Sequence, residues 1–250
     1  MIIILRIIQF KKSYIQPTNH MTNKRFLILS DIHVPYQHKL NLSKAIEYGK
    51  KYNPTDVVLL GDVIDCVSIS KFLKKSNERD FNKEILQTRK FLQSLRNTFP
   101  KANISYLEGN HENRLNKYIL TNASELSNLK ELSLPSLLQL DKYNIKYYSE
   151  DKILKAGNLV LTHGHLVKGS CSSYPARSLF YSTKVSSLCG HCHRESMYTC
   201  RTIDNKVLKS YSVGCLSTLQ PSYSIFNDFT AGFAVIDVIS NKAEVKLISL

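Results

Sequence analysis

Five short blocks carry the residues able to do chemistry: Asp31-Ile32-His33, Gly61-Asp62-Val63-Ile64-Asp65, Gly109-Asn110-His111-Glu112, His163-Gly164-His165 and Gly190-His191-Cys192-His193. Six of the eight histidines fall inside them. Carboxylate, imidazole and amide groups together suit divalent cations such as Mn2+, Fe2+ and Zn2+. Where two ions lie ~3.5–4 Å apart, a carboxylate and a water are expected to bridge them, and the water becomes the nucleophile. At a strand end, residues i and i+2 point to one side. Asp31 with His33, and His191 with His193, are therefore each expected to share an ion. Gly61, Gly109, Gly164 and Gly190 permit tight turns where backbone must come close to the ions. Singly, D-x-H and H-x-H are common, and a lone histidine is usually structural. It is the full set, in this order, that points to metal-assisted chemistry.

Cys189 and Cys192 raise a rival reading, because C-x-x-C spacing also suits a zinc knuckle or a redox pair. Cys192 lies between two candidate histidines, so its side chain is expected to face away from the metals as a buried spacer. With no secretory leader evident, all six cysteines are expected to be reduced thiols.

The elements that must position these blocks read as α/β. Phe26–Leu29, Val57–Leu60 and Ile104–Leu107 are short apolar runs, each followed at once by a block. Strands are also expected near 145–149, 152–155 and 159–161, and then over 198–201, 207–213, 232–238 and 243–248. Residues 41–52 and 78–99 read as helices. The second has an apolar stripe of Phe81, Ile85, Leu92, Leu95 and Phe99, and Pro100 stops it. Residues 112–140 are expected to be largely helical. Asp31, Asp62, Asn110 and His163 fall at or just past strand C-termini, so four strands are expected to deliver ligands to one sheet edge.

The chain of 250 residues has 34 Lys+Arg against 20 Asp+Glu, a net charge of +14. Residues 1–25 contribute Arg6, Lys11, Lys12, Lys24 and Arg25 with no acid, and removing those five leaves +9. This segment is expected to be a separate tail, dispensable up to Met21. A basic surface favours polyanionic partners. No apolar run approaches the ~20 residues of a membrane span, so the cytoplasm is the expected compartment, that of the host cell if the chain is phage-encoded.

All five blocks, over residues 31–193, resemble those of the calcineurin-like metallophosphoesterase superfamily. That resemblance implies a four-layer α-β-β-α sandwich of two mixed sheets over residues 26–250. Block by block, it implies that Asp31, His33 and His193 hold a first metal. Asn110, His163 and His191 hold a second, and Asp62 bridges both. His111 matches the family's general acid, which also contacts the phosphate. The implied cofactor is two divalent ions, Mn2+ first, with Fe, Zn or Ni as alternatives. Glu112-Asn113-Arg114, the run Leu134–Leu138 and Gly214-Cys215-Leu216 resemble the small phage and bacterial branch. The protein serine/threonine phosphatase branch carries arginine where this chain has Cys66 and Glu108. Arg114, Arg177 or Arg194 is expected to substitute, and His165 to touch substrate or face the rim.

The expected activity is hydrolysis of a phosphate ester. Phosphodiesters are favoured, with nucleic acid ahead of small nucleotides, because residues 168–209 interleave basic and aromatic side chains around the last block. A phosphomonoesterase, including a protein phosphatase, is the enzymatic alternative. A metal-stabilised nucleic-acid-binding module is the non-enzymatic one, and it gives His111 no purpose. A closed structural zinc site fits poorly with aspartate and asparagine ligands.

Overall fold

The computed structural model describes residues 23–72, 80–221 and 226–250. Residues 1–22 of the expected tail lie outside these. In chain order the first half comprises β1 (Lys24–Leu29), α1 (Lys39–Tyr52), β2 (Asp56–Leu59), α2 (Phe81–Thr98), β3 (Asn103–Leu107), α3 (Asn113–Asn122), α4 (Leu134–Leu137) and β4 (Ile145–Tyr148). The second half comprises β5 (Leu154–Ala156), β6 (Leu159–Thr162), α5 (Pro175–Thr183), β7 (Ser187–Cys189), β8 (Ser196–Arg201), β9 (Val207–Ser212), β10 (Gly232–Ile239) and β11 (Lys242–Ser249). Strand β1 begins two residues inside the expected tail. Its Arg25 lies over the Tyr52 ring and 3.6 Å from the Asp237 carboxylate.

The strands form two mixed sheets, ordered β11-β10-β1-β2-β3-β4 and β5-β6-β7-β9-β8. Strands β1 to β4 are parallel, as are β6, β7 and β9, while β10, β11, β5 and β8 run antiparallel to their neighbours. Alternation along β1 divides the core. Phe26 and Ile28 meet Val58, Leu60, Leu161 and Leu188 between the sheets. Leu27 and Leu29 point the other way, into a cluster with Ile85, Leu92, Leu95 and Phe99 of the helical layer. Helix α5 packs against β7, β8 and β9 on the second sheet. The result is the expected four-layer sandwich. Among the described residues, no helix is long and apolar enough to cross a membrane.

Local chemistry sets the helix ends. The Asp80 carboxylate accepts the Lys83 N–H at 2.9 Å and so starts α2; residues 78 and 79, expected inside this helix, lie outside the described residues. Helix α1 presses on the sheet at Gly49, where a Cβ would sit 2.6 Å from Leu27 and 2.9 Å from Phe99. Residues 112–140 are largely helical as expected, but in short pieces. Between α3 and α4 the chain makes two short 3-10 turns, Ser124–Leu126 and Lys130–Leu132. Residues 124–131 are exposed, so no apolar face is buried to hold a longer helix. Helix α5 and strand β7 were not anticipated. The legible signals for α5 were Pro175 at its first turn and the buried Ala176, Leu179 and Phe180 at helical spacing.

Candidate metal centre

The seven residues expected as ligands meet in one place, where the C-terminal ends of parallel strands from both sheets converge. Asp31, Asp62 and Asn110 follow β1, β2 and β3. His163 follows β6, and His191 and His193 follow β7. This corrects the expectation of a single sheet edge: the site joins two sheets, and neither holds the whole donor set.

Three groups of donor atoms result, each within 4.8 Å of one another: Asp31, His33 and His193, then Asp62, His163 and His191, and third His33, Asp65 and His111. Asn110 joins the second, its Oδ1 lying 3.2 Å from His163 Nε2. Asp62 stands between the first two groups. Its Oδ2 is 3.2 Å from His163 Nε2 and 3.9 Å from His33 Nε2. His33 Nε2 and His193 Nε2 approach to 3.1 Å, and His193 Nε2 is 3.4 Å from Asp31 Oδ1.

The backbone achieves this by a route the pleat argument missed. Asp31, His33, Asp62, His191 and His193 all have φ between 51° and 68°, in the left-handed region. Asp and His tolerate this region better than most residues, but it costs roughly 1–3 kcal/mol at each position. Strain concentrated on candidate ligands is the pattern of a site held in place by its surroundings. One expectation falls with the pleat: His191 and His193 do not share a group but divide between the first two.

Partners outside the centre orient the imidazoles. His163 Nδ1–H donates to the Leu60 carbonyl at 2.8 Å, and His33 Nδ1 bonds the Asp65 carboxylate at 3.0 Å. Each arrangement turns Nε2 inward, as ligand histidines require. The Asp31 carboxylate accepts the His191 N–H at 2.9 Å and the Ser30 hydroxyl at 2.6 Å. The His193 ring lies 4.6 Å from that of Phe229.

Charge in this cavity calls for a cation. Asp31 and Asp62 are 0% and 1% exposed, and among the described residues no lysine or arginine pairs with either. A buried carboxylate without a counter-charge is very costly. Burial pushes both acids up, but His193 outweighs it at Asp31, and His111, His163 and His33 do so at Asp62, so both lie below the usual carboxylate range. Reciprocally, burial pushes His163 down, but the Asp62 charge dominates and raises it to about 9. Burial likewise opposes, and Asp31 likewise raises, His193. The donors present therefore fit divalent cations.

His111 sits beside the first two groups of candidate ligands and belongs to the third, with His33 and Asp65. Its Nδ1–H donates to the Asp65 carbonyl at 2.9 Å, which leaves Nε2 as the exchangeable position. That atom is 3.8 Å from Asp62 Oδ2 and 3.0 Å from Arg114 Nη2. Arg114 also bonds the Asp65 carbonyl at 2.9 Å, and its guanidinium lies 5.8 Å from the exposed Phe72 ring. His165 is close to the second group, its ring 5.3 Å from that of His163, and its Nε2 meets Glu150 at 2.9 Å. Arg177 is elsewhere, on α5, lining a groove with Tyr174, Met197 and Tyr198. Arg194 is corrected as a free phosphate ligand. Its guanidinium is held by Asp228 at 2.5 Å and by the carbonyls of Cys171 and Ser172.

Glu112, the last residue of the third block, acts on backbone remote in sequence. Its buried carboxylate accepts the N–H groups of Asp62, Val63 and Gly109 and the Tyr106 hydroxyl, at 2.7–2.9 Å. It ties the loop after β2 to the loop after β3. A Cβ on Gly109 would collide with the Asp62 carboxylate, so these loops touch through bare backbone. Cys192 is buried as expected, and neither it nor Cys189 belongs to any group of donors able to hold a metal among the described residues.

The chain is 26% identical, over 91% of its length and 94% of theirs, to the gene 54 proteins of Mycobacterium phages L5 and D29. It is also similar to a metallophosphoesterase structure from Sphaerobacter thermophilus, at 14% identity and a TM-score of 0.48, covering 92% of this chain and 88% of that one. The calcineurin-like phosphoesterase sequence model matches residues 24–205. With that match over most of its length, the chain belongs to the calcineurin-like phosphoesterase family.

Proposed function

We propose that this phosphoesterase is a two-metal phosphodiesterase acting on nucleic acid. The observation that carries the reading is the pair of buried carboxylates, Asp31 and Asp62, that face imidazoles and no fixed cation. Asp31, His33 and His193 would hold one divalent ion, and Asn110, His163 and His191 a second, with Asp62 shared. Mn2+ suits this mixed oxygen and nitrogen set. Bound there, the ions would polarise the phosphoryl oxygens and acidify a water for attack.

The chain's own residues supply the rest. His111 Nε2 carries the proton for the leaving oxygen, and the Asp65 carbonyl fixes the ring for that transfer. Arg114, 3.0 Å from Nε2, is placed to move onto a phosphate oxygen as substrate enters. Cys66 is buried, and Glu108 is pushed up to about 7, chiefly by burial. Neither offers the guanidinium that would help a dianionic monoester, which favours a singly charged diester.

Nucleic acid is favoured by the face formed by α5 and β8. Tyr181 lies under two cations, Arg177 at 5.5 Å and Lys184 at 4.7 Å, with Tyr198 beside it. Exposed cations suit backbone phosphates and exposed rings suit unpaired bases. The test sets Mn2+-loaded protein against bis-p-nitrophenyl phosphate, p-nitrophenyl phosphate, and single-stranded and duplex DNA. Diester and DNA cleavage is expected, with DNA binding that weakens steeply with salt. Efficient monoester hydrolysis without salt-dependent binding would leave the phosphoesterase chemistry and remove nucleic acid. Charge reversal at Arg177 and Arg201 should weaken DNA binding far more than small-diester hydrolysis.

A further inference from the structure

Beyond the centre's own residues, two thiols abut it. Cys171, in the loop between β6 and α5, is exposed, and its sulfur is 3.3 Å from that of buried Cys192. Cys192 stands between His191 and His193, and Cys171 is also within hydrogen-bonding reach of the His191 side chain. We propose that Cys171 and Cys192 form a reversible disulfide that loosens the hold of His191 on a metal ion. The second half of this statement rests on the reading of His191 as a ligand.

Geometry assigns the two roles. Cys171 is open to a small oxidant, while Cys192 is buried with its sulfur 3.3 Å from that of Cys171. With a low-molecular-weight disulfide as oxidant, the Cys171 thiolate attacks one sulfur and releases one thiol. The Cys192 thiolate then attacks the Cys171 sulfur and releases the second. Two electrons reduce the oxidant's sulfur–sulfur bond, and the two thiol protons end on the released thiols.

Closing the pair from 3.3 Å to the ~2.05 Å of a disulfide must move one partner. The ligand turn is the firmer partner, because Asp31 holds the His191 N–H and the His193 carbonyl holds the Thr230 N–H. Cys171 is the exposed member of the pair, so its side chain turns toward Cys192 and its sulfur leaves His191. Loss of such a supporting contact weakens metal binding by roughly 10–100-fold.

The test treats Mn2+-loaded full-length protein with oxidised glutathione. Thiols counted in denaturant should fall from six to four, and proteolytic fragments should show residue 171 linked to residue 192. The Mn2+ dissociation constant, read from free Mn2+ by paramagnetic resonance, should rise by that factor on oxidation and return with dithiothreitol. Cys171→Ser, which keeps a hydroxyl near His191, should retain its five thiols and its Mn2+. Six remaining thiols, a bridge elsewhere, or a persistent glutathione adduct on Cys171 would overturn the bridge. A bridge between these residues with unchanged Mn2+ affinity would overturn its coupling to the centre. The thiol count stands even if the reduced protein binds no Mn2+, so the two failures are distinguishable.

Discussion

Replacing Glu112 with glutamine tests whether one buried carboxylate holds together the two loops that carry Asp62 and Asn110. Oε2 accepts the Asp62 and Gly109 N–H groups, and Oε1 accepts the Val63 N–H and the Tyr106 hydroxyl. Glutamine fits best with its amide nitrogen at the Oε1 position, because the Tyr106 hydroxyl can turn and accept. The Val63 N–H cannot, and a buried orphan donor costs about 1–3 kcal/mol. The bonds that remain lose their charge, at about 1 kcal/mol each for the two to Oε2. Glu112 is raised first by burial and then by the Asp62 charge, so removing its own charge returns part of the loss. A net destabilisation of about 2–4 kcal/mol follows from these figures. That is a large share of the ~5–15 kcal/mol that holds a domain folded. Denaturant unfolding of the metal-free protein, read by circular dichroism, measures it as a lower midpoint at unchanged slope. A Glu112→Gln midpoint shift worth less than about 0.5 kcal/mol, the size of an ordinary surface change, would refute the bracing argument.

His111→Ala should keep its metal but lose turnover by roughly 10²–10⁴-fold on substrates with poor leaving groups, and by less on p-nitrophenyl esters; loss of metal instead would make His111 a ligand. Asp62→Asn should lower the metal content below that of the wild type and suppress turnover at equal metal supply, as metal analysis with parallel kinetics would show. His163, raised to about 9 by Asp62 against burial, must give up a proton to any incoming ion, so metal binding should strengthen as pH rises toward 9 and release a proton. In the metal-free protein the same pairing stabilises the fold fully below about 6.5, the ordinary histidine value, and that contribution is lost as pH rises through about 9. Calorimetry in buffers of differing ionisation enthalpy counts the protons, and an affinity flat from pH 7 to 9 would contradict the pairing. Protein begun at Met21 should be folded, metal-loaded and active; its aggregation would show that Ile2–Ile8 packs against the domain.

The sequence by itself determined the identities of the donors and their order along the chain. Four of the five donor blocks follow an apolar run, and a short apolar run ending in glycine or a polar residue is readable as a strand end without any tertiary information; the fifth follows β7, which has no such run. The same periodicity made α1, α2 and the inward-facing residues of β1 legible, since each buries a stripe against the sheet. Tertiary structure decided what depends on two segments meeting. It drew β6 and β7 from a second sheet to the ends of β1, β2 and β3, and it separated His191 from His193 through left-handed backbone that only surrounding packing can enforce. It also gave Glu112 its role, because the N–H groups of Asp62 and Val63 lie 50 and 49 residues away along the chain. It took Arg194 out of solvent by supplying Asp228 and two carbonyls from other loops. A single chain states which groups are available. Which of them are already satisfied is a property of contacts remote in sequence, and those exist only once the sheets have packed.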